Sequence, residues 1–540
     1  MPNKPKWKTR VLHWPSLGVV RRHSYESAPG HRDAYPTHWA INTRVQDPIQ
    51  KRLRGGSRLG LTKFIANDLE ITVDSMIAVP AKSGTSVADY LVVVADGYLG
   101  VISGGTLDTT ADYLEMEDGT LILTDETEAG NPIELSTSDI PADCFLIPRS
   151  GKAYAVTTSA IYEINPVRVS TRTLTASSGT IPLNCTHGCF YRDRLVLAGQ
   201  NNVIYFSRQG DAEDWNYGGN VGDTGRAKRI QLSESSEIGD TVTALMPLRD
   251  DSMIAATQYG LWLLNGDPAT GGMRNISRGI GVIRSTAWCS IKDARVGDAP
   301  TRNAFVFLSE LGLFMVGPTG DGLESLSEDR VPLELTDIAA STDVSLVYSP
   351  EERGVYIFVT PATGTATHWF FDMVNKGFWP VALQEDHQPL DVCNSDGNVV
   401  IACKDGYIRY IGGDDDDGTD IESYVLLGPI RLSDPNTYGI TTTIQGILGE
   451  SGGDVTWNLI TGDTAEEACS NGVTAIEAYQ DGDATTADEY VMASGTWEAG
   501  RSKFMYPRVR SMWMCVLLKS SAKWAYESII MESREAGRWR

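Results

Sequence analysis

Membrane spans, export signals and disulfide scaffolds all need sequence features that this chain lacks. The 540 residues contain no run of 18 uncharged apolar residues, and the first residues have no apolar segment of signal-peptide length. With 8 cysteines, the chain is too poor in thiols for a disulfide scaffold. We therefore expect no membrane-spanning segment, synthesis in a cytoplasm, and cysteines that are mostly buried as free thiols.

Motifs that mark common enzyme classes are also missing. We find no clear Gly-x-Ser-x-Gly nucleophile turn, no Walker loop and no Gly-x-Gly-x-x-Gly after a strand. The repeated Ser-x-Asp-x-Gly-x-x-Trp boxes of sialidase propellers are absent too. Glycosidases need paired carboxylates, but among 70 acidic residues pairs arise by chance. The sequence predicts a protein that is not an enzyme, with no catalytic residues and no cofactor.

What the chain does contain favours β-structure. Its 53 glycines exceed the usual share of about 7%, and glycine is costly inside helices but common in tight turns. The 21 tyrosines and 13 tryptophans also favour strands. At this length, two or more domains are expected.

Charge is distributed unevenly along the chain. Residues 1–63 carry 13 Lys and Arg against Glu26, Asp33 and Asp47, a net charge of +10, whereas the whole chain carries −24. The remainder is therefore strongly acidic and is a poor surface for gripping nucleic acid, because it repels phosphates. Such a surface suits solubility, or a wall past which DNA slides without sticking.

One local pattern recurs from about residue 89 to residue 411: an apolar strand, a short turn, and a second strand that often carries aromatics. Apolar runs joined by Asp-Gly or similar turns are a strong hairpin signal. The seven predicted hairpins span residues 91–102, 153–164, 195–206, 253–264, 304–316, 355–371 and 399–411.

These hairpins recur at a mean spacing of about 51 residues. A strand-only repeat of this length is typical of propeller blades, whereas a β-sandwich would show turns every 8–12 residues without a long period. The fold class predicted is all-β: a six- or seven-bladed β-propeller over residues 64–412.

The acidic run from Gly412 to Gly418 interrupts the repeat and predicts a domain boundary. Five apolar segments follow, and they predict a C-terminal β-sandwich-like domain over residues 413–540. The segment 465–486, rich in Ala, Asp, Glu and Gly, is interpreted as a long surface loop.

Residues 1–63 show little periodicity and several prolines, so they predict an extended basic arm that becomes ordered against a partner. Basic and aromatic side chains in such an arm suit docking to an acidic neighbour, with tryptophans as anchors. DNA is the competing target. The predicted docking residues are Trp7, Trp14, Arg21, Arg22, Trp39, Arg54 and Arg58.

Two segments resemble metal sites. Cys185, His187 and Cys189 are closely spaced, but no second ligand pair completes a zinc site, so buried thiols are favoured. Asp414, Asp416, Asp420 and Glu422 alternate as calcium ligands do, but without the glycine and final glutamate of a calcium loop. A solvated acidic linker is favoured there, with calcium as the alternative, and no metal site is predicted.

Several segments together resemble one family of proteins. The first stretch runs from residues 22–26 through Asp47-Pro48 to the motif Arg54-Gly55-Gly56-Ser57-Arg58-x-Gly60-Leu61. The others are residues 203–215 and residues 525–538. They are similar to the tail nozzle and tail-hub proteins of short-tailed phages, the tail tubular protein B-like or DNA-stabilisation group. Leu59 departs from this pattern, because proline is expected at that position.

The resemblance implies a structural virion protein located in the phage tail. It implies a homo-oligomer, a hexameric ring beneath the portal and adaptor, which closes the channel and lets DNA pass at ejection without specific binding. The alternative is a propeller that binds or cleaves a cell-surface glycan. A propeller scaffold for cytoplasmic proteins is a third possibility.

Overall fold

Strands dominate the computed structural model from end to end. It describes residues 7–538 except 22–34, 65–71, 84–85, 96–97, 105–112, 116–120, 124–135, 138–139, 169, 200–201, 220–221, 232–240, 250, 295–301, 318–321, 328–329 and 435–436. Within these ranges, no helix has the length and apolar character needed to cross a bilayer.

The described residues of the N-terminal segment form five short strands, three of which pair with distant parts of the chain. Only β3 and β4 pair with each other; β1 and β2 join the C-terminal domain, and β5 joins the propeller. Their bounds are β1 Trp7–Leu12, β2 Ala40–Ile41, β3 Thr43–Gln46, β4 Leu53–Ser57 and β5 Leu61–Lys63.

Seven antiparallel sheets follow in chain order. Sheets 1 to 3 contain β6 Ser75–Ser83, β7 Ser86–Ala95, β8 Tyr98–Gly104, β9 Tyr113–Glu115, β10 Leu121–Leu123 and β11 Ser136–Thr137; β12 Phe145–Arg149, β13 Lys152–Val156, β14 Ile161–Asn165 and β15 Ser170–Thr173; then β17 Cys185–Tyr191, β18 Arg194–Gly199, β19 Val203–Phe206 and β21 Lys228–Gln231. Outside these sheets, β16 Ser178–Gly179 pairs in parallel with β20 Asp214–Trp215.

Sheets 4 to 7 repeat the four-stranded pattern, and a short 3₁₀ helix, Leu333–Leu335, lies between sheets 5 and 6. They contain β22 Val242–Arg249, β23 Ser252–Thr257, β24 Gly260–Asn265 and β25 Gly272–Arg278; β26 Trp288–Ala294, β27 Arg302–Ser309, β28 Gly312–Val316 and β29 Glu324–Ser325; β30 Thr342–Ser349, β31 Gly354–Pro361, β32 His368–Asp372 and β33 Gly377–Val381; and β34 Pro389–Ser395, β35 Asn398–Cys403 and β36 Ile408–Ile411, with β5 as the fourth strand.

The sheets are arranged as blades around a ring. The first strand of each sheet contacts the first or second strand of the next, and β34 of sheet 7 contacts β6 of sheet 1. Each predicted hairpin corresponds to the second and third strands of one sheet, such as β23 and β24. The prediction of an all-β propeller is confirmed.

Strand β5 closes the ring. It pairs antiparallel with β36, placing Leu61 opposite Ile411 and Lys63 opposite Arg409. Sheet 7 thus combines three strands from the end of the repeat with one strand from before it. The predicted propeller boundary at residue 64 therefore excluded one of its own strands.

Apolar side chains pack between neighbouring sheets. One cluster joins sheets 3 and 4 through residues such as Phe206, Met253 and Trp262. The indole of Trp262 is completely buried, as are the neighbouring Leu261 and Leu263. Alternation along a strand places successive side chains on opposite faces, so one hairpin contributes to the contacts with both adjacent blades.

The C-terminal domain is the predicted sandwich with helices added. The sandwich consists of two sheets of its own. Its first sheet has the order β1-β43-β38-β41, and its second sheet has the order β2-β37-β42-β39-β40. Trp457 and Trp497 of the second sheet stack on each other at 5.6 Å between ring centroids. The bounds are β37 Ser423–Arg431, β38 Thr437–Leu448, β39 Val455–Gly462, α1 Ala465–Gln480, α2 Ala484–Glu489, β40 Val491–Trp497, β41 Val509–Ser511, β42 Trp513–Ser520 and β43 Tyr526–Arg538.

The segment 465–486, interpreted from sequence as a surface loop, instead forms α1 and the start of α2. The side chain of Thr464 accepts a hydrogen bond from the Glu467 backbone N–H, which caps α1, and this contact satisfies a donor that the first helical turn leaves free. Ala468 and Ile476 are buried against the second sheet. An amphipathic helix therefore covers the outer face of that sheet.

The N-terminal segment is extended, as expected, but its described residues pack against the same chain. Lys8 and Arg10 lie on β1, which pairs along its whole length with β43. Residues 18–19 bridge to Phe378 and Thr37, next to sheet 6. The sequence predicted an arm that orders against a separate partner. In the structure, the partners of β1 and of Gly18 lie in the same chain, more than 300 positions away.

We predict that Trp262→Ala lowers the free energy of unfolding by about 3–5 kcal/mol, because it leaves a cavity between two blades. The same substitution at Trp7, whose side chain is 57% exposed, is the control and should cost less than about 1 kcal/mol. Denaturant unfolding followed by circular dichroism measures both. Equal effects of the two substitutions would contradict the assignment of Trp262 to the core between the blades.

Candidate functional site

A cavity of about 1760 Å³ lies where the ring, the N-terminal segment and the C-terminal domain approach one another. Strands β6, β30 and β34 form much of its wall, together with the loop between β31 and β32. Trp39 and Gln480 contribute from outside the ring. Clefts and cavities are the usual place for a ligand.

Acidic side chains outnumber basic ones around this cavity. Arg21 forms an ion pair with Glu334 at 2.8 Å, and Lys404 lies 3.6 Å from Glu385. Arg284 donates to the backbone oxygens of residues 339 and 340. The acidic residues are Asp74, Asp143, Glu334, Asp343, Glu385 and Asp391, and the basic residues are Arg21, Arg284 and Lys404.

Asp391 on β34 holds the most unusual carboxyl group of the cavity. It accepts hydrogen bonds from the backbone N–H of Met76 at 2.7 Å and of Val392 at 2.8 Å. Burial nevertheless raises its pKa to about 7, and the negative charge of Asp343 acts in the same direction. The pKa of Asp343 is itself raised by burial, which Arg284 partly offsets. Near neutral pH the Asp391 carboxyl can therefore hold a proton, as a general acid must.

His368 is a second cavity residue in an unusual state. Its Nδ1 accepts a hydrogen bond from the Val359 backbone N–H at 3.2 Å. Burial lowers its pKa to about 4, so the imidazole is neutral at physiological pH. It therefore adds no positive charge to the acidic wall.

The Gly-Gly-Ser-Arg motif lies at the junction of the propeller and the sandwich. Gly55 has a φ of +92°, and a Cβ atom there would lie 2.0 Å from the Trp14 ring. A Cβ atom on Gly60 would lie 1.9 Å from the Asp415 carbonyl oxygen. Only glycine fits these close approaches, so the motif is explained by packing.

Arg58, the charged member of the motif, forms a buried ion pair with Asp416. Its Nη1 lies 2.8 Å from Oδ1 of Asp416, and its Nε donates to Asn42 at 2.9 Å. Both charged side chains are at least 94% buried. Such a pair is stable only while both partners are present, because either charge alone would be desolvated without compensation.

Arg54 joins the two ends of the chain. It contacts Asp47 at 2.9 Å and Glu527 on β43 at 2.8 Å. Asp47 also accepts hydrogen bonds from three backbone N–H groups of the turn between β3 and β4. These contacts fix the turn against the sandwich.

Trp14 is the centre of an aromatic cluster between the domains. Its ring lies 5.9 Å from Trp379 of sheet 6, 5.8 Å from Trp524 and 5.4 Å from Tyr526. The Tyr526 hydroxyl donates to the Leu12 carbonyl oxygen at 2.7 Å. Trp14 thus anchors the segment to its own chain.

The remaining predicted docking residues differ in exposure. Arg21 stacks on Trp39 at 4.1 Å from the ring centroid, at the rim of the cavity. Trp7 is exposed and has Arg534 over its ring at 5.8 Å, while Arg22 lies outside the described residues. Trp14, Arg54 and Arg58 are occupied within the chain, so among the described candidates a partner can reach Trp7, Arg21 and Trp39 most readily.

The two metal-like segments serve other contacts. Asp416 pairs with Arg58, Asp414 lies 2.6 Å from Lys523 Nζ, and Glu422 accepts a hydrogen bond from Tyr424 at 2.6 Å, while Asp420 is exposed. Across the described ranges, no three acidic, cysteine or histidine side chains group as metal ligands.

The cysteine-rich segment is buried in β17. Burial raises the pKa of Cys185 to about 12 and lowers that of His187 to about 4. Cys189 packs against Met253 at 3.7 Å. As expected for free thiols, seven of the eight cysteines are buried.

We predict that Asp416→Asn lowers the free energy of unfolding by about 3–5 kcal/mol, because it leaves the Arg58 guanidinium buried without a counter-charge. The matched control is Glu351→Gln, which removes one partner of the exposed Lys51–Glu351 pair and should cost less than about 1 kcal/mol. Chemical denaturation at constant pH compares the two. A small effect of Asp416→Asn would contradict the proposed importance of the ion pair.

We predict that Asp391 makes stability fall as the pH rises from about 4 to about 7. The unfolded carboxyl loses its proton near pH 4, whereas the folded one keeps it up to about pH 7, so the unfolded state releases the proton first. Asp391→Asn should therefore raise the melting temperature at pH 8 and leave it nearly unchanged at pH 4. Asp386→Asn, the same change at an exposed position, is the control; a pH-independent effect at Asp391 would refute the prediction.

Comparison with known proteins finds the fold alone. No family model matches the chain, and no curated protein matches it. It is similar to a chain of the mitotic checkpoint complex, with 10% identity and a TM-score of 0.37, over 66% of this chain and 95% of that one. It is also similar to the WD40 β-propeller domain of Doa1, with 12% identity and a TM-score of 0.36, over 65% of this chain and 96% of that one. A third similar structure is the extracellular domain of the putative hybrid two-component system BT3049 from B. thetaiotaomicron. Its identity is 10% and its TM-score 0.40, over 83% of this chain and 49% of that one. At these scores the likeness gives no argument about function.

Proposed function

We propose that this chain is a structural subunit of a phage tail, which assembles into a hexameric ring as the tail nozzle or hub. One observation carries the proposal. The terminal segments that resemble the nozzle proteins, residues 54–61 and 525–538, are in contact, with Gly56 bridged to Ala525 and Arg54 paired with Glu527. The resemblance thus falls on the junction that holds propeller and sandwich together, as a structural role requires.

The strongly acidic charge of the chain is compatible with a channel that passes DNA. The chain carries a net charge of −24, and a surface of this sign repels phosphates. A duplex therefore gains little by binding to such a surface, and passage stays reversible. In this proposal the subunit binds no cofactor and performs no catalysis.

The second candidate function is binding or cleavage of a glycan, and the cavity is the observation that favours it. Asp343 and Asp391 lie in one cavity with Arg284, and a carboxyl with a pKa of about 7 suits a general acid. Oligosaccharide release by the wild-type protein that is lost in Asp391→Asn would favour this function over the tail proposal.

The tail proposal predicts a ring of six copies that attaches to portal and adaptor proteins. Light scattering and electron microscopy of the purified chain measure the copy number and the shape. Co-assembly with portal and adaptor proteins then tests the location in the tail. A protein that stays monomeric at high concentration, both alone and with those partners, would refute the proposal.

A further inference from the structure

One side of the C-terminal sandwich ends in two strand edges. Strand β40 is the last strand of the second sheet. Residues 501–505 lie beside β38 of the first sheet, through bridges from Arg501 to Ile447 and from Met505 to Ile444. Only residues 498–500 separate these edges in sequence, so the edges are neighbours. Exposed strand edges readily pair with another chain.

Residues 501–510, here called the basic edge, are unusual in an acidic chain. They include four basic residues and no acidic one, and Arg501, Lys503, Arg508 and Arg510 are all exposed. Phe504 is 44% exposed and Tyr506 67%. Within the described part of the chain, no ion pair involves a basic side chain of this segment. Exposed aromatics flanked by uncompensated cations are typical of an interaction surface.

The opposite charge is concentrated on the helices of the same domain. Residues 463–490 contain no Lys or Arg. Their acidic side chains, here called the acidic helix face, are all exposed: Asp463, Glu466, Glu467, Glu477, Asp481, Asp483, Asp488 and Glu489.

The two surfaces occupy different sides of the domain. Helix α1 packs on β37, β39 and β42 and so covers the outer face of the second sheet, whereas the basic edge lies at the rim of the first sheet. A contact between two different surfaces on identical chains is head-to-tail, and such contacts build rings when the rotation closes.

We infer that the basic edge of one copy docks on the acidic helix face of a second copy, with Phe504 and Tyr506 as apolar anchors. Copies with a net charge of −24 repel one another, so they associate best where local patches of opposite sign meet. Much of the basic N-terminal segment is already paired within the chain, as Arg54 and Arg58 show. The inference rests on the proposed ring and identifies one of its interfaces.

Charge reversal tests this contact in the full-length protein. Arg501→Glu with Lys503→Glu should weaken association at least ~100-fold, because like charges then face each other. Glu466→Lys with Glu477→Lys should do the same from the other side. The control Arg168→Glu with Arg278→Glu makes the same charge change on exposed propeller residues and should leave association unchanged. Circular dichroism verifies that every variant is folded.

Mixing the two defective variants gives the decisive measurement. Each reversed surface then meets its complement on the other variant, so rings with alternating subunits should re-form. If the charge-reversed variants form rings as the wild-type protein does, this interface is wrong. It is also wrong if mixing the two defective variants restores no rings. Neither result contradicts the proposed tail function. A monomeric wild-type protein would instead overturn the ring itself. If a basic-edge variant forms normal rings but no longer binds single-stranded DNA, the basic edge contacts nucleic acid and not a second copy.

Discussion

Pairing between β5 and β36 is the contact on which the rest of the structure depends. A circular array of sheets buries its apolar faces only if the last sheet is held against the first. Here the outer strand of sheet 7 comes from residues 61–63, and its register is fixed by Leu61 opposite Ile411. The close approach of Gly60 to Asp415 and the Arg58–Asp416 ion pair lie directly beside this strand. Closure of the ring and attachment of the N-terminal segment are therefore one event.

The same segment joins the propeller to the sandwich. Strands β1 and β2 extend the two sandwich sheets, and between them Trp14 contacts Trp379 of sheet 6 and Trp524 of the C-terminal domain. The cavity is lined from all three parts of the chain. Its shape is consequently set by the N-terminal segment as well as by the blades.

Local patterns in the sequence predicted the hairpins, because a turn and two apolar strands are encoded within about 15 residues. Helix α1 was missed although Thr464 and Glu467 form a capping motif. Gly472 and the many acidic residues suggested a loop. In the helix, Gly472 packs against Leu426. The contacts of residues 7–63 were not visible, since strands of two to six residues are too short to show a clear periodicity. The effect of the Asp343 charge on Asp391 was not visible either, because the two residues lie on different blades.

The pairing of the first strand with the last has a consequence for how the chain folds. The Tyr526 hydroxyl binds the Leu12 carbonyl oxygen across 514 positions, and Trp524 binds Ser57 across 467. During synthesis the blades can form one after another, but β1 must wait until residues 529–534 have left the ribosome. Contacts of such sequence separation are slow to form, because a long loop must close before they stabilise anything. Completion of the fold thus depends on residues 524–534, and a chain truncated before them lacks the pairing partner of β1.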